Sequence, residues 1–414
     1  RVAAGADRFV LKVANPAAAD PLLPILGVVI ALFALAMLVP LAFAFVGGDT
    51  ALYAYDGAIL ITAAFGLVLW WATRRHKREL QPRDGFLLVA LIWTVLPVFA
   101  TLPLLFALPD LSVTDAYFEA MSGLTASGGT ALVGLDQLPL SINVWRCFLQ
   151  YLGGLGVVVV AVAVLPLLGV GASQLYKAET PGPMKDSKLT PRIAETARGL
   201  WVVYVGLSLA CFFAYRAAGM GWADAFMHMC STMGLGGFSS YDASIGHFQS
   251  APIEAVAIVF MLLAGVNFAR YFVVWRSRSL RPLVRCIETR AYLLVLAASI
   301  ALITVYLVAH GQYGTFAEAL RHTAFHVVSL ATTTGYASTD YAQWPAFAPM
   351  LMILLGCFAG CAGSTSGGIK MVRMLLLIKQ ARVELVRIVH PRAVLPIALG
   401  GATVPQPVMA SVIA

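Results

Sequence analysis

Three segments of this chain superimpose without a gap: Asp115 to Thr130 (DAYFEAMSGLTASGGT), Asp224 to Ser239 (DAFMHMCSTMGLGGFS) and His322 to Ala337 (HTAFHVVSLATTTGYA). In that register Gly128, Gly237 and Gly335 coincide. A serine stands six residues before each (Ser122, Ser231, Ser329), and Glu119, His228 and His326 stand nine before. The separations of 109 and 98 residues mark a repeating unit of about a hundred. Each segment is too short and too polar to cross a bilayer, yet each is bracketed by long apolar runs. The pattern predicts a spanning helix, a re-entrant segment and a second spanning helix, repeated around an axis.

Composition fixes the solvent. Hydrophobic residues make up 60% of the 414 and charged residues 12%, with a mean hydropathy of +0.84, more than a soluble core requires. Apolar runs near Pro21–Phe45, Ala51–Thr73, Gly85–Ala107, Ile142–Leu168, Thr196–Gly219, Pro252–Trp275, Ala291–His310 and Phe347–Ile378 are each long enough to span, which predicts eight spans with the last interrupted. The start at Arg1 without a signal peptide reads as a clipped or incomplete N-terminus.

Charge gives the orientation. Residues 1–20, 74–84, 171–200, 276–290 and 370–392 hold 24 of the 28 lysines and arginines, so those loops are cytoplasmic. The net charge of +8 is thereby a topology signal, and nucleic acid is excluded as a partner. The other side and the re-entrant segments carry Asp49, Asp56, Asp110, Asp115, Glu119, Asp136, Asp224, Asp242, Glu254, Glu318 and Asp340, an acidic mouth that concentrates cations.

Other chemistry is thin. The six cysteines form no CxxC pair and read as buried thiols. His322 and His326 have the i, i+4 spacing of a helical metal pair without a third ligand. Because His326 aligns with His228 and Glu119, a satisfied polar position on a short helix accounts for it better. No nucleophile/base or paired-carboxylate arrangement supports an enzyme.

The aligned glycines have a physical use. A cation crossing lipid sheds water, and rings of backbone carbonyls replace its hydration shell. Aiming consecutive carbonyls at one axis needs small residues and positive φ. Thr125, Ala126, Ser127 and Gly128, then Leu235, Gly236 and Gly237, then Thr333, Thr334 and Gly335 are the candidate filter, with Ser127, Gly128, Gly236, Gly237, Thr334 and Gly335 as the ion's carbonyl ligands. The alternative, glycines that let spanning helices pack closely, fits one site better than three in register. A different cluster, Gly360, Gly363, Ser364, Thr365, Ser366, Gly367 and Gly368, interrupts the last span. Ile369 between Gly368 and Lys370 spoils a phosphate loop. A flexible constriction on the cytoplasmic side of the filter, or a packing kink, remains.

The segments 145–171, 177–198, 231–248, 332–345, 360–377 and VHPRAV at 389–394 resemble the Trk/Ktr/HKT superfamily of potassium transporters, most closely its bacterial TrkH-type branch. The resemblance implies an all-α membrane protein: pseudo-fourfold helix/pore-loop/helix repeats preceded by two extra helices, usually as a homodimer, in the bacterial inner membrane. It places the filter glycines at Gly128, Gly237 and Gly335 and an intramembrane gating loop at Gly360–Gly368. The expected divisions are an extra helix pair (1–84), repeat 1 (85–175), repeat 2 (176–280), repeat 3 with a broken second helix (281–392) and the entry to a fourth repeat (393–414) whose filter glycine would fall at 433 to 444, beyond Ala414. The chain is expected to be a fragment of a transporter.

The leading expectation is channel-like potassium uptake with potassium ion as the cargo and no organic cofactor. Alternatives are a sodium-permeable or sodium-coupled member of the superfamily, in which a serine replaces the first filter glycine, and a secondary transporter with a broken-helix midplane site. The basic segments Lys177–Arg198, Arg276–Arg290 and Lys379–Arg392 suit anionic membrane lipid. The resemblance adds a nucleotide-binding cytoplasmic regulatory ring (TrkA-type) docking there.

Overall fold

The computed structural model describes residues 22–75, 82–154, 156, 193–391, 393, 395–399 and 402–404. The N-terminus, the basic stretch from Lys177 to Arg192 and residues 405–414 of the expected repeat entry lie outside the described residues. Among those described there are fifteen α-helices and one two-residue β-hairpin, β1 (Ala398–Leu399) with β2 (Ala402–Thr403). The protein is an all-α membrane protein.

The helices are α1 (Leu22–Ala36), α2 (Leu38–Gly47), α3 (Leu52–Thr73), α4 (Pro82–Ala107), α5 (Val113–Leu124), α6 (Leu140–Gly154), α7 (Ile193–Ala217) and α8 (Trp222–Gly234). They continue with α9 (Ala251–Ala264), α10 (Phe268–Ser277), α11 (Arg281–Val284), α12 (Ile287–Ala309), α13 (Phe316–Ala331), α14 (Phe347–Gly356) and α15 (Met371–Val389). Five stretches are long and apolar enough to cross a membrane: Leu22–Gly47, Leu52–Thr73, Leu87–Ala107, Arg198–Ala217 and Ile287–Ala309. The run expected to span over Pro252–Trp275 is bent: α9 and α10 meet at 87°, as a broken span or a re-entrant pair does. Asn267 stops the chain there by accepting a bond from Ala269 N–H at 2.8 Å, the N-cap of a new helix. The run at Ile142–Leu168 is described as helix only to Gly154, and the last run is two helices, α14 and α15.

The re-entrant helices follow from length. With 12, 13 and 16 residues, α5, α8 and α13 reach about 18–24 Å at 1.5 Å per residue, short of the ~30 Å hydrocarbon layer. Each carries an acid in its first turn, Asp115, Asp224 and Glu318, where it complements the positive end of the helix. Thr315 caps α13 by accepting from Glu318 N–H at 3.3 Å.

The contacts divide the molecule into two compact units. One runs to Met121 and includes Pro139–Trp145; the other comprises Ser122–Leu138 and the described residues from Arg146 onward. In the first, α1 and α3 touch backbone to backbone: a Cβ on Gly66 would lie 2.5 Å from Ala31 N, and one on Gly27 2.7 Å from Trp70 N. Small residues at both crossing points are what permit this approach. Asp49 ties down the turn between α2 and α3, accepting from Ala51 N–H at 3.0 Å and from Ser141 N–H at 2.9 Å. Burial pushes its carboxyl up, but these N–H groups outweigh it and hold it below its ordinary value. Tyr55 Oη donates to Ser141 O at 2.9 Å, and Trp145 Nε1 donates to Ala100 O at 3.0 Å.

Because no rotamer of a larger residue fits at Gly66, Gly66→Leu must part α1 from α3. The expected loss is about 1–3 kcal/mol or more, read as a lower melting temperature in detergent. An unchanged melting temperature would contradict the close backbone contact.

Candidate functional site

The three short helices end alike. Ala126, Leu235 and Thr333 have φ of 52°, 52° and 61°, and Gly128, Gly237 and Gly335, two residues on, have φ of 79°, 77° and 85°. The amides follow the same register. Ala126, Leu235 and Thr333 donate to Gly123 O, Thr232 O and Leu330 O at 3.0, 3.2 and 3.0 Å. Ser127, Gly236 and Thr334 donate to Ser122 O, Ser231 O and Ser329 O at 3.0, 3.0 and 2.8 Å. Two left-handed residues flanking one that is not turn the chain without a helix, and the partially negative C-terminal end of each short helix faces its turn.

The turns interlock. A Cβ on Gly128 would lie 2.2 Å from Gly236 O and 3.7 Å from Thr334 O, and one on Gly237 would lie 2.0 Å from Thr334 O; a Cβ on Gly335 meets nothing within 4 Å. Each of the first two glycines therefore lies against a carbonyl of the next turn, where any side chain is excluded both by space and by φ. The candidate residues of all three segments are brought together by these contacts. The carbonyl oxygens of Gly236 and Thr334 lie against neighbouring glycines, just past the partially negative C-terminal ends of their short helices.

Side chains that sequence reasoning missed hold the turns. Arg146 on α6 is buried. Its guanidinium lies 4.5 Å from the Phe238 ring, Nη1 donates to Ser239 O at 3.2 Å and Nη2 to Thr130 Oγ1 at 3.1 Å. Gln150, one turn further on, donates through Nε2 to Gly236 O at 2.8 Å and accepts at Oε1 from Phe238 N–H at 3.0 Å. Tyr336 inserts its hydroxyl beside Thr232 Oγ1 and His228 O at 3.4 and 3.3 Å. The histidines are satisfied within the fold. His228 bonds Asp224 O and Ser239 Oγ at 2.9 and 3.0 Å, and His326 bonds His322 O and Thr339 O at 2.8 and 3.1 Å.

Two of the acids expected at the mouth are engaged by protein groups, and for buried Glu254 this corrects the expectation. Asp242 accepts from Gly134 and Leu135 N–H at 2.9 and 3.1 Å. Glu254 is buried in a bidentate pair with Arg321, both contacts at 2.7 Å, so its charge is compensated.

Beside the turns, residues 357–370 between α14 and α15 are non-helical. They include the whole Gly360–Gly368 cluster. Several of their backbone groups are bonded to other elements, as buried polar groups require. Cys361 N–H donates to Gly265 O at 3.1 Å and Phe268 N–H to Gly363 O at 3.0 Å, so the break between α9 and α10 and the break after α14 satisfy each other. Glu288 Oε1 accepts from Ala362 N–H at 2.7 Å and Val372 N–H at 3.3 Å, holding both ends of the loop. Ser364 Oγ donates to Cys361 O at 2.6 Å, and Lys370 Nζ donates to Ser366 O. Thr365 Oγ1 donates to Met233 O at 3.0 Å, and Gly367 N–H donates to Thr333 Oγ1 at 2.7 Å. The last bond joins the loop directly to the turn after α13.

Comparison with known proteins agrees with this architecture. The profile of the TrkH family, cation transport proteins, matches residues 55–414. The chain belongs to the TrkH family. It is 45% identical to the Trk system potassium uptake protein TrkH of Salmonella typhimurium over 94% of this chain and 80% of that protein. It is 40% identical to the Trk system potassium uptake protein TrkG of Escherichia coli over 93% and 80%. The crystal structure of the potassium transporter TrkH from Vibrio parahaemolyticus matches with a TM-score of 0.84 at 40% identity, over 95% of this chain and 81% of that one.

Within this TrkH-family chain, Gly367 N–H has Thr333 Oγ1 as its acceptor. Thr333→Val keeps the shape and removes the oxygen. Amide exchange across the loop is expected to quicken about tenfold, the equivalent of one hydrogen bond, as measured by hydrogen–deuterium exchange. Unaltered protection of residues 363–368 would show that the loop is held without this bond.

Proposed function

We propose that this chain takes up potassium across the bacterial inner membrane through a pore whose selectivity comes from backbone carbonyls. The observation that carries the reading is the interlocked set of turns, in which Gly128 lies against Gly236 O and Gly237 against Thr334 O. The potassium ion is the cargo. Carbonyls of Ser127, Gly128, Gly236, Gly237, Thr334 and Gly335 act as its ligands, and Thr125, Ala126, Leu235 and Thr333 shape the turns that present them. A potassium ion sheds its water at modest cost where several carbonyls are already oriented, and a cage held open by packing discriminates against an ion that needs it to contract.

The loop of Gly360, Gly363, Ser364, Thr365, Ser366, Gly367 and Gly368 is proposed as the gate. Its bonds to Thr333 and Met233, next to the turns, support this reading, and its glycines and hydroxyl residues leave little preference for a helix. Opening exchanges those bonds for others, so a modest free-energy input moves it. The exposed arginines Arg276, Arg278, Arg281, Arg285 and Arg290 suit anionic lipid and a nucleotide-binding cytoplasmic ring of the TrkA type. A homodimer is part of the same reading. The coupled transporter with a midplane site explains the broken α9/α10 and α14/α15 helices equally well but gives no reason for three matching turns.

Gly128→Ser tests the filter. The new Cβ collides with Gly236 O and displaces the second turn, and the preference for potassium over sodium is expected to fall. Competition between sodium and rubidium uptake in potassium-depleted cells measures it. An ion preference that stays as it was would assign selectivity elsewhere.

A further inference from the structure

The three turns share a backbone but not the means of holding it. In the first, Ser127 Oγ donates to Ser122 Oγ at 3.1 Å. In the third, Thr332 Oγ1 and Thr334 Oγ1 bond at 2.7 Å, and Ser329 Oγ donates to Tyr336 O at 2.7 Å. The second turn, Leu235-Gly236-Gly237, carries no polar side chain. Gly236 occupies the register position of Ser127 and Thr334, so the hydroxyl that braces the other turns is missing from it. A peptide between two glycines has no side chain to bias it and rotates readily.

Gln150 occupies the vacant volume. A Cβ on Gly236 would lie 2.3 Å from Gln150 Cδ, 2.6 Å from Nε2 and 2.7 Å from Oε1. The amide meets three groups of the second segment: Nε2 donates to Gly236 O at 2.8 Å, Oε1 accepts from Phe238 N–H at 3.0 Å, and Ser231 Oγ donates to the same Oε1. Ser231 is the counterpart of Ser122 and Ser329, which bond within their own segments. Here the serine turns instead to a residue of the preceding repeat. Gln150 is buried, so no water competes for these bonds.

We propose that Gln150 is a positioning residue for ion selection. Its amide stands in for the side chain that Gly236 lacks and fixes the Gly236–Gly237 peptide in the orientation that the other turns hold with their own hydroxyls. This rests on the carbonyl-filter reading. The second turn depends on a residue outside its own segment for this brace, so its geometry is open to change without touching a turn residue. A glutamate in place of Gln150 keeps the size and the acceptor but loses the donor to Gly236 O. An alanine loses both.

The test compares potassium and sodium flux in proteoliposomes carrying the full chain as Gln150→Glu, Gln150→Ala, Gln150→Ala with Gly236→Ser, and Gly237→Ser as a filter control. Both single Gln150 variants are expected to lose about tenfold in potassium-over-sodium preference, the equivalent of one buried hydrogen bond, while remaining monodisperse. The serine should restore most of that preference in the Gln150→Ala background, where its volume is free, and impair the native protein, where it is not. A fall without rescue assigns Gln150 to packing and overturns the proposal. Unchanged preference in both Gln150 variants with a changed Gly237→Ser overturns it and leaves the filter reading standing. Unchanged preference in all of them overturns both.

Discussion

The proposed filter depends on the contact between a glycine Cα and the carbonyl of the neighbouring turn. At 2.2 and 2.0 Å from those oxygens, no Cβ is possible at Gly128 or Gly237. The left-handed φ at the same residues excludes side chains independently. The contact brings peptide groups from different repeats side by side. It persists because each turn is bonded to the end of its own short helix and braced from behind by Arg146, Gln150 and Tyr336. In the proposed filter a cation would sit among the oxygens that this contact assembles.

The repeats share a backbone plan and diverge in how they satisfy it. Polar groups at membrane depth must find partners in protein, and each repeat finds different ones. Glu254 and Arg321 join the second helix of one repeat to the short helix of the next, and Asp242 joins two outer loops. The broken helices answer each other, with Gly265 and Phe268 bonded to the loop at Cys361 and Gly363. Through Thr333 the loop and the last turn share a side chain. A displacement of either is felt by the other through one hydrogen bond rather than through a long path.

Much of this was legible in the sequence because repetition amplified weak signals. A single glycine in an apolar helix says little, whereas Gly128, Gly237 and Gly335 at offsets of 109 and 98 identified the turns. The same offsets connect Gly156, Gly265 and Gly363, which follow the ends of α6, α9 and α14, a signal of the bend within Pro252–Trp275. The left-handed conformations of Ala126, Leu235 and Thr333 had no signature, since Leu and Thr seldom adopt them and tertiary contacts impose them. Arg146 and Gln150 were hidden for another reason. Their partners are backbone atoms about 90 residues away, which no local pattern encodes. The acid at position 254 reads as a mouth charge because composition cannot separate an exposed carboxylate from a buried, paired one.

The central claim is that the carbonyls of these three turns hold the transported ion. Anomalous scattering from the protein in rubidium, a heavier stand-in for potassium, locates bound cations without reference to function. The account predicts a peak surrounded by the oxygens of Ser127, Gly128, Gly236, Gly237, Thr334 and Gly335, weakened when sodium replaces rubidium. Rubidium peaks confined to other parts of the protein, with the turns well ordered and empty, would contradict it.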